Sequence, residues 1–144
     1  MIISIKGVQR YENADPDTME LVTAGRLERE GNSYTLSYQE SELTGLEGTL
    51  TTFQIEPERI TLMRVGEFNS QMVFQEGRRH MSMYNTPYGA MTIGVNTRHL
   101  LAELDDQGGE IEIDYAIEID HSVAGRNTFQ INVKEAEGAA GLRI

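Results

Sequence analysis

Apolar and polar residues alternate with a period of two along most of this chain, most clearly over residues 110–119. The apolar members of that run are Ile111, Ile113, Tyr115, Ile117 and Ile119. This alternation is typical of a β-strand with one buried and one solvated face. A second alternating run follows over residues 128–134, after a short segment that contains Gly125. The two runs are therefore predicted to form a β-hairpin.

The same period can be followed back to the beginning of the chain. The other predicted strands are 2–10, 20–30, 33–40, 48–56, 59–65, 70–75, 79–84 and a run that begins near 90. Short segments rich in Gly, Pro, Asn and Asp separate them, and their length predicts antiparallel neighbours without a crossover helix. Residues 97–104 fit either one helical turn or a bent continuation of the strand, because Leu100, Leu101 and Leu104 have nearly helical spacing.

A series of antiparallel strands around one core must hide two edges or close on itself. A meander with short turns closes most simply as an up-and-down barrel, whereas a two-sheet sandwich would need longer Greek-key connections. Thr49 and Thr51 are in phase with apolar positions, which fits a partly polar interior, and Gly25 inside a strand pattern is typical of a sharp bend. The sequence predicts an all-β, antiparallel up-and-down meander barrel of eight to ten strands. We expect it to form a single domain over residues 1–135, followed by a mobile tail over 136–144.

Charge excludes several classes of partner. The chain has 144 residues, with 12 Lys and Arg against 23 Asp and Glu, so its net charge is −11. Such a surface repels nucleic acid and anionic membranes, so neither is predicted as a partner. No apolar run reaches the roughly 18 residues of a membrane span, and Lys6 and Gly7 interrupt the apolar start that a signal peptide would need. Together with the absence of cysteine, these features predict a cytoplasmic protein.

Several short motifs occur in a characteristic order along nearly the whole chain. They are Tyr34-x-Leu36-x-Tyr38-x-Glu40, Leu62-Met63-Arg64-x-Gly66, Met72-x-Phe74, Tyr84, Gly89, Met91-x-Ile93, Thr97 and Ile111-x-Ile113-x-Tyr115. In this order they resemble the YwiB-type family, a bacterial family of small β-barrels of unknown function. The resemblance implies a lipocalin-like (calycin) barrel. With that fold comes the expectation that the interior binds a ligand, although a fold alone does not establish a function.

Two charged residues are predicted to point toward the same strand face as apolar residues. Arg64 is in phase with Ile60 and Leu62, and Glu40 is in phase with Tyr38. A guanidinium inside a barrel needs an acceptor, because an unpaired buried charge is costly. One interpretation is that Arg64 binds a ligand carboxylate or phosphate in bidentate fashion. The other is that Arg64 pairs with Glu40 internally, or lies in water at the end of its strand.

The first functional hypothesis is a non-enzymatic barrel that binds a small apolar or amphipathic molecule in its lumen. The predicted ligand-binding residues are Arg64, Glu40, Tyr38, Phe53, Leu62, Met72, Phe74, Tyr84, Met91 and Tyr115. The methionines among them would suit variable apolar ligands, and they would equally fill a core.

Two other hypotheses stay open. A filled barrel could act as a protein-interaction or self-association module, for example as a homodimer, because Val22, Val65 and Val73 lie on faces that alternation should have made polar. An enzyme could use His80, Tyr84 or Arg64 in its pocket. No catalytic residue is predicted, since the sequence has no nucleophile motif. No metal or cofactor is predicted either, since it has neither a two-histidine metal spacing nor a glycine-rich phosphate loop.

Overall fold

Eleven β-strands make up most of the molecule. The computed structural model describes the chain except for residues 11–14, 43–45, 67–68, 87–88, 120–121 and 136–144, and gives only the backbone of residues 83–86 and 90. The strands are β1 (Ile2–Arg10), β2 (Asp17–Ala24), β3 (Arg26–Glu30), β4 (Ser33–Gln39), β5 (Thr49–Ile55), β6 (Ile60–Gly66), β7 (Ser70–Phe74), β8 (Arg79–Thr86), β9 (Gly89–Asp105), β10 (Gly108–Ile119) and β11 (Ser122–Lys134). The predicted tail at 136–144 lies outside the described residues.

All strands belong to one antiparallel sheet in the order β2-β1-β11-β10-β9-β8-β7-β6-β5-β4-β3. From β3 onward each strand pairs with the next one along the chain, and β1 pairs with both β2 and β11. The two ends of this order, β2 and β3, are consecutive segments joined by Gly25. The predicted all-β antiparallel meander is therefore confirmed. Among the described residues the sheet is not closed by hydrogen bonds, because β2 and β3 do not pair with each other.

At Gly25 the chain leaves β2, which pairs with β1, and enters β3, which pairs with β4. The Gly25 backbone N donates to the Met1 carbonyl at 2.9 Å, and the Met1 amino group donates to the Gly25 carbonyl at 3.1 Å. A Cβ atom at this position would collide with the Ile3 side chain and lie 2.5 Å from the Ser37 carbonyl oxygen. The predicted strand 20–30 is thus two strands, and the described residues form eleven strands where eight to ten were predicted.

The helical interpretation of residues 97–104 is wrong, because this segment belongs to β9. In the pairing of β9 with β10, Thr97 lies opposite Tyr115 and His99 lies opposite Asp114, so Arg98 is an extra residue. This β-bulge changes the phase of the strand. As a result Thr97 and Leu100, three residues apart, both belong to the inward side. After the bulge Leu100 and Leu104 alternate as in an ordinary strand, with Leu101 on the other side.

The interior is filled by apolar side chains from all around the sheet. The largest fully buried side chains are Phe53, Phe74, Ile3, Leu36, Ile60, Leu62, Ile111, Ile113, Ile131, Val95, Thr49 and Thr51. Burying one such apolar side chain contributes about 1.5–3 kcal/mol. The two buried threonines confirm that part of the interior is polar.

Two regions of the sheet distribute their charges differently. In β1, β2, β10 and β11, which we call the charged wall, inward isoleucines such as Ile111 and Ile131 alternate with outward Lys6, Glu20 and Glu112. In β4, β5, β6 and β7, which we call the uncharged wall, the outward positions carry no charged residue. The single charge in those four strands is Arg64, which faces inward.

Candidate functional site

The inward side of the uncharged wall changes from apolar to polar along its strands. Leu36, Phe53, Leu62 and Met72 form one row across β4–β7. The next row across the same strands contains Tyr38, Thr51, Arg64 and Ser70. Glu40 follows Tyr38 by two residues, and its backbone N donates to the Thr49 carbonyl at 2.9 Å. The sheet register therefore brings the predicted residues Arg64, Glu40 and Tyr38 together at one end of the interior.

Glu40 and Arg64 form a weak ion pair at this end. The distance from Arg64 Nε to Glu40 Oε2 is 3.9 Å, and the side chains are 21% and 1% exposed, respectively. Thr51 Oγ1 donates a hydrogen bond of 2.5 Å to the same carboxylate oxygen. Arg64 Nε is buried and has no hydrogen-bond partner among the described residues. An unmatched buried donor of this kind costs about 1–3 kcal/mol.

Tyr38 completes this polar group. Its side chain is buried, and it interacts with Glu40 and Thr51. Burial raises the pKa of the Tyr38 phenol above its ordinary value of 10.0, and the nearby negative charge of Glu40 raises it further. The phenol is therefore held neutral as a hydrogen-bond donor across the physiological pH range.

A second polar row lies on the inward side of β9, β10 and β11. Thr97, Tyr115 and Asn127 are cross-strand neighbours, and Asn127 Nδ2 donates to the Tyr115 hydroxyl at 3.2 Å. Thr97 Oγ1 is buried and has no hydrogen-bond partner in the described part of the chain. The sequence analysis did not include Asn127, although it shares its phase with Phe129 and Ile131.

Most of the predicted ligand-binding residues belong to the core. Tyr38, Phe53, Leu62, Met72, Phe74 and Tyr115 are all buried. Phe74 and Tyr115 belong to strands that are not neighbours in the sheet, and their ring centroids are 4.7 Å apart. The two rings thus meet across the interior and fill it at this level. Met91 is 37% exposed, and its backbone pairs with that of Tyr84, whose side chain lies outside the described residues.

Two residues of the enzyme hypothesis, His80 and Arg64, have separate partners, and the side chain of the third, Tyr84, lies outside the described residues. His80 Nε2 lies 3.0 Å from Gln75 Oε1, and Arg64 is next to Glu40. No cluster of potential metal ligands occurs among the residues that are described. The same part of the chain contains no helix that is long and apolar enough to cross a membrane.

A groove of about 570 Å³ lies on the outside of the molecule. It is lined mainly by outward residues of the charged wall, among them Lys6, Glu20, Glu112 and Gln130. It therefore lies on the opposite side of the sheet from the predicted ligand-binding residues and contains none of them.

The described residues form an all-β antiparallel meander with a partly polar interior. The chain belongs to the family described as a domain of unknown function, DUF1934, whose profile matches residues 3–131. It is also similar to the crystal structure of the ywiB protein from Bacillus subtilis. The two chains are 20% identical with a TM-score of 0.82, and the match covers 94% of this chain and 90% of that one. The resemblance expected from the sequence motifs is thus confirmed for the fold. No curated protein matches.

Proposed function

We propose that this barrel binds a small amphipathic molecule at the polar end of its interior, with a hydrogen-bond acceptor of the ligand placed on Arg64. The observation that supports this proposal is the buried Arg64 Nε without a partner, next to a carboxylate that lies 3.9 Å away. A ligand oxygen would satisfy this donor and recover the free energy that its burial costs. The protein would act in the cytoplasm.

Charge and space restrict the chemistry of such a ligand. The charges of Arg64 and Glu40 cancel, so the site does not require an anion, and either a carbonyl or a carboxylate oxygen could serve as the acceptor. The apolar part would lie toward Leu62 and Met72, the adjacent row of the same wall. Because Phe74 and Tyr115 fill the interior beyond this row, the apolar part must be short.

Titration of the labelled protein with octanoate or octanamide, followed by NMR, tests this proposal. We expect both probes to shift the backbone amide signals of Glu40, Thr51 and Arg64. Arg64→Ala should abolish these shifts, and Arg64→Lys should weaken them, because lysine keeps the charge but lacks the planar fork of donors. Arg59→Ala is the matched control, since Arg59 lies on a turn and pairs with Glu56 at the surface.

Two outcomes would contradict the proposal. The first is the absence of any shift around Arg64 with either probe, and the second is an unchanged response of the Arg64→Ala variant. Native mass spectrometry of freshly purified protein adds an independent observation, because a ligand carried from the cell appears as extra mass that denaturation releases. The same spectra from Arg64→Ala should lack this mass.

A further inference from the structure

The outward side of the uncharged wall is unusual for a protein of this composition. Its outward residues are serine, threonine, glutamine and four apolar residues, namely Leu50, Met63, Val65 and Val73. Leu50 and Val65 are cross-strand partners and are 39% and 63% exposed. On the adjacent β8, the outward Met81 is 58% exposed. This wall therefore presents a continuous surface without formal charge and with exposed apolar side chains near one end.

The charge of the molecule indicates which partner fits this surface. The chain carries a net charge of −11, and outward acidic residues such as Glu20, Glu110 and Glu112 lie on the charged wall. A basic partner would be attracted to the charged wall and not to the uncharged one. Two copies of an acidic chain repel each other least when they meet through surfaces that carry no charge. In a two-fold interface the same patch of each copy meets itself. A patch without charge can do so without repulsion between like charges.

We infer that the outward side of β4–β7 is a self-association surface through which two copies of this chain form a dimer. The surface is four strands wide, at about 4.8 Å per strand, and five to seven residues long, at about 3.3 Å per residue. These dimensions correspond to a small interface, of the class that gives weak and reversible complexes. Leu50 and Val65 supply apolar contacts near one end of this surface, and the threonine and glutamine side chains along the rest of it supply hydrogen bonds. This inference is independent of ligand binding in the interior.

Sedimentation velocity over a range of protein concentrations tests this inference, with Val65→Lys as the decisive variant. The matched control is Val22→Lys, because Val22 is an outward valine of the charged wall with a similar exposure of 69%. The two substitutions change the net charge of the chain equally, so a difference between them reports position and not overall repulsion. We expect Val65→Lys to raise the dimer dissociation constant at least about tenfold and Val22→Lys to leave it nearly unchanged. Thermal melting of both variants verifies that they are folded.

Salt provides a second criterion. Dimerisation through an uncharged surface should strengthen as salt screens the repulsion between the two acidic copies. Three results would overturn the inference. They are a monomer at every concentration, equal dissociation constants for Val65→Lys and Val22→Lys, or association that weakens with added salt, as an interface of ion pairs would.

Discussion

The charged and the uncharged walls of this barrel place their charges on opposite sides of the sheet. In the charged wall, side chains such as Ile111 and Ile131 fill the interior, and the charges of Lys6 and Glu112 are in water. In the uncharged wall, the single charge of Arg64 points inward. The first arrangement is the one that hydrophobic burial favours. The second is costly, because buried charges must be compensated by partners.

This difference separates a wall that follows the usual rule of hydrophobic burial from a wall that departs from it. Stability alone does not explain why a wall should bury an arginine and leave valine exposed. Both deviations occur together in β6, where Arg64 faces the interior and its neighbour Val65 is 63% exposed. A ligand inside and a second copy outside would each explain one of them.

The largest effect is expected where the chain passes between the two walls. Gly25→Ala places a Cβ atom against the Ile3 side chain and the Ser37 carbonyl oxygen, so the chain must move away from one wall. We expect the free energy of unfolding to fall by about 3 kcal/mol or more, measured by urea denaturation. Gly7→Ala is the control, because its Cβ would make only an ordinary contact of 3.5 Å with the Phe129 ring. Equal losses in the two variants would disprove the role assigned to Gly25.

Removal of a glutamate that contacts Arg64 of the uncharged wall, and of a glutamate from the charged wall, tests the comparison directly. Glu40→Ala leaves Arg64 without its carboxylate inside the barrel, and we expect a loss of about 2–3 kcal/mol in unfolding free energy. Glu112→Ala removes an outward carboxylate whose side chain is 40% exposed, and should change stability by no more than about 0.5 kcal/mol. Chemical denaturation of both variants measures the difference. Similar values for the two would contradict the assignment of Glu40 as a buried partner.

Alkaline pH should affect the uncharged wall through Tyr38. The pKa of this phenol is raised in the folded protein, chiefly by burial and then by Glu40, whereas it is near 10.0 in the unfolded chain. Its contribution to stability is therefore fully present below pH 10. Above pH 10 it decreases by up to about 1.4 kcal/mol per pH unit, because the unfolded chain loses this proton first. The change should be visible in urea midpoints measured across this range.

Tyr38→Phe should flatten this pH dependence. Tyr34→Phe is its control, because the Tyr34 hydroxyl forms an exposed hydrogen bond with Asp106. An unchanged slope above pH 10 in Tyr38→Phe would show that another group causes the alkaline instability.

A small effect is also expected when an outward ion pair is removed. Arg79 Nε lies 3.2 Å from Glu118 Oε2, and the side chains are 37% and 15% exposed. Arg79→Ala should lower the unfolding free energy by less than about 1 kcal/mol, and salt should reduce the difference from the unsubstituted protein. Thermal melting at low and high salt measures this. A loss as large as that of Glu40→Ala would mean that inward and outward charges contribute alike.

The sequence predicted the strands of the charged wall better than the positions where strands break or bulge. Alternation in residues 110–119 identified β10, because successive side chains there point alternately to the core and to water. Phase also placed Arg64 and Glu40 on one face. The sequence indicated a bend at Gly25 but not that it separates two strands, and the bulge at Arg98 was not predicted, because both depend on which strands the segment meets in space.

The predicted ligand-binding residues illustrate the same limit. Phase indicates that Phe74 and Tyr115 both point inward, but it carries no information about the distance between them. Only the curvature of the sheet brings their rings together and thus decides how much of the lumen is filled. The unpaired Nε donor of Arg64 could not be predicted either. It depends on the distance between Arg64 and Glu40, which the packing of separate strands determines.

The pairing of β1 with β11 has a consequence for biosynthesis. Ile2 is the cross-strand partner of Lys134, so β1 meets its second neighbour only after β11 has been synthesised. Until then one edge of β1 stays without its β11 partner on the nascent chain, as a site where chaperones or other nascent chains can add a strand. Because contacts this distant in sequence slow folding, the pairing of β1 with β11 should be a late step of folding that follows the synthesis of β11.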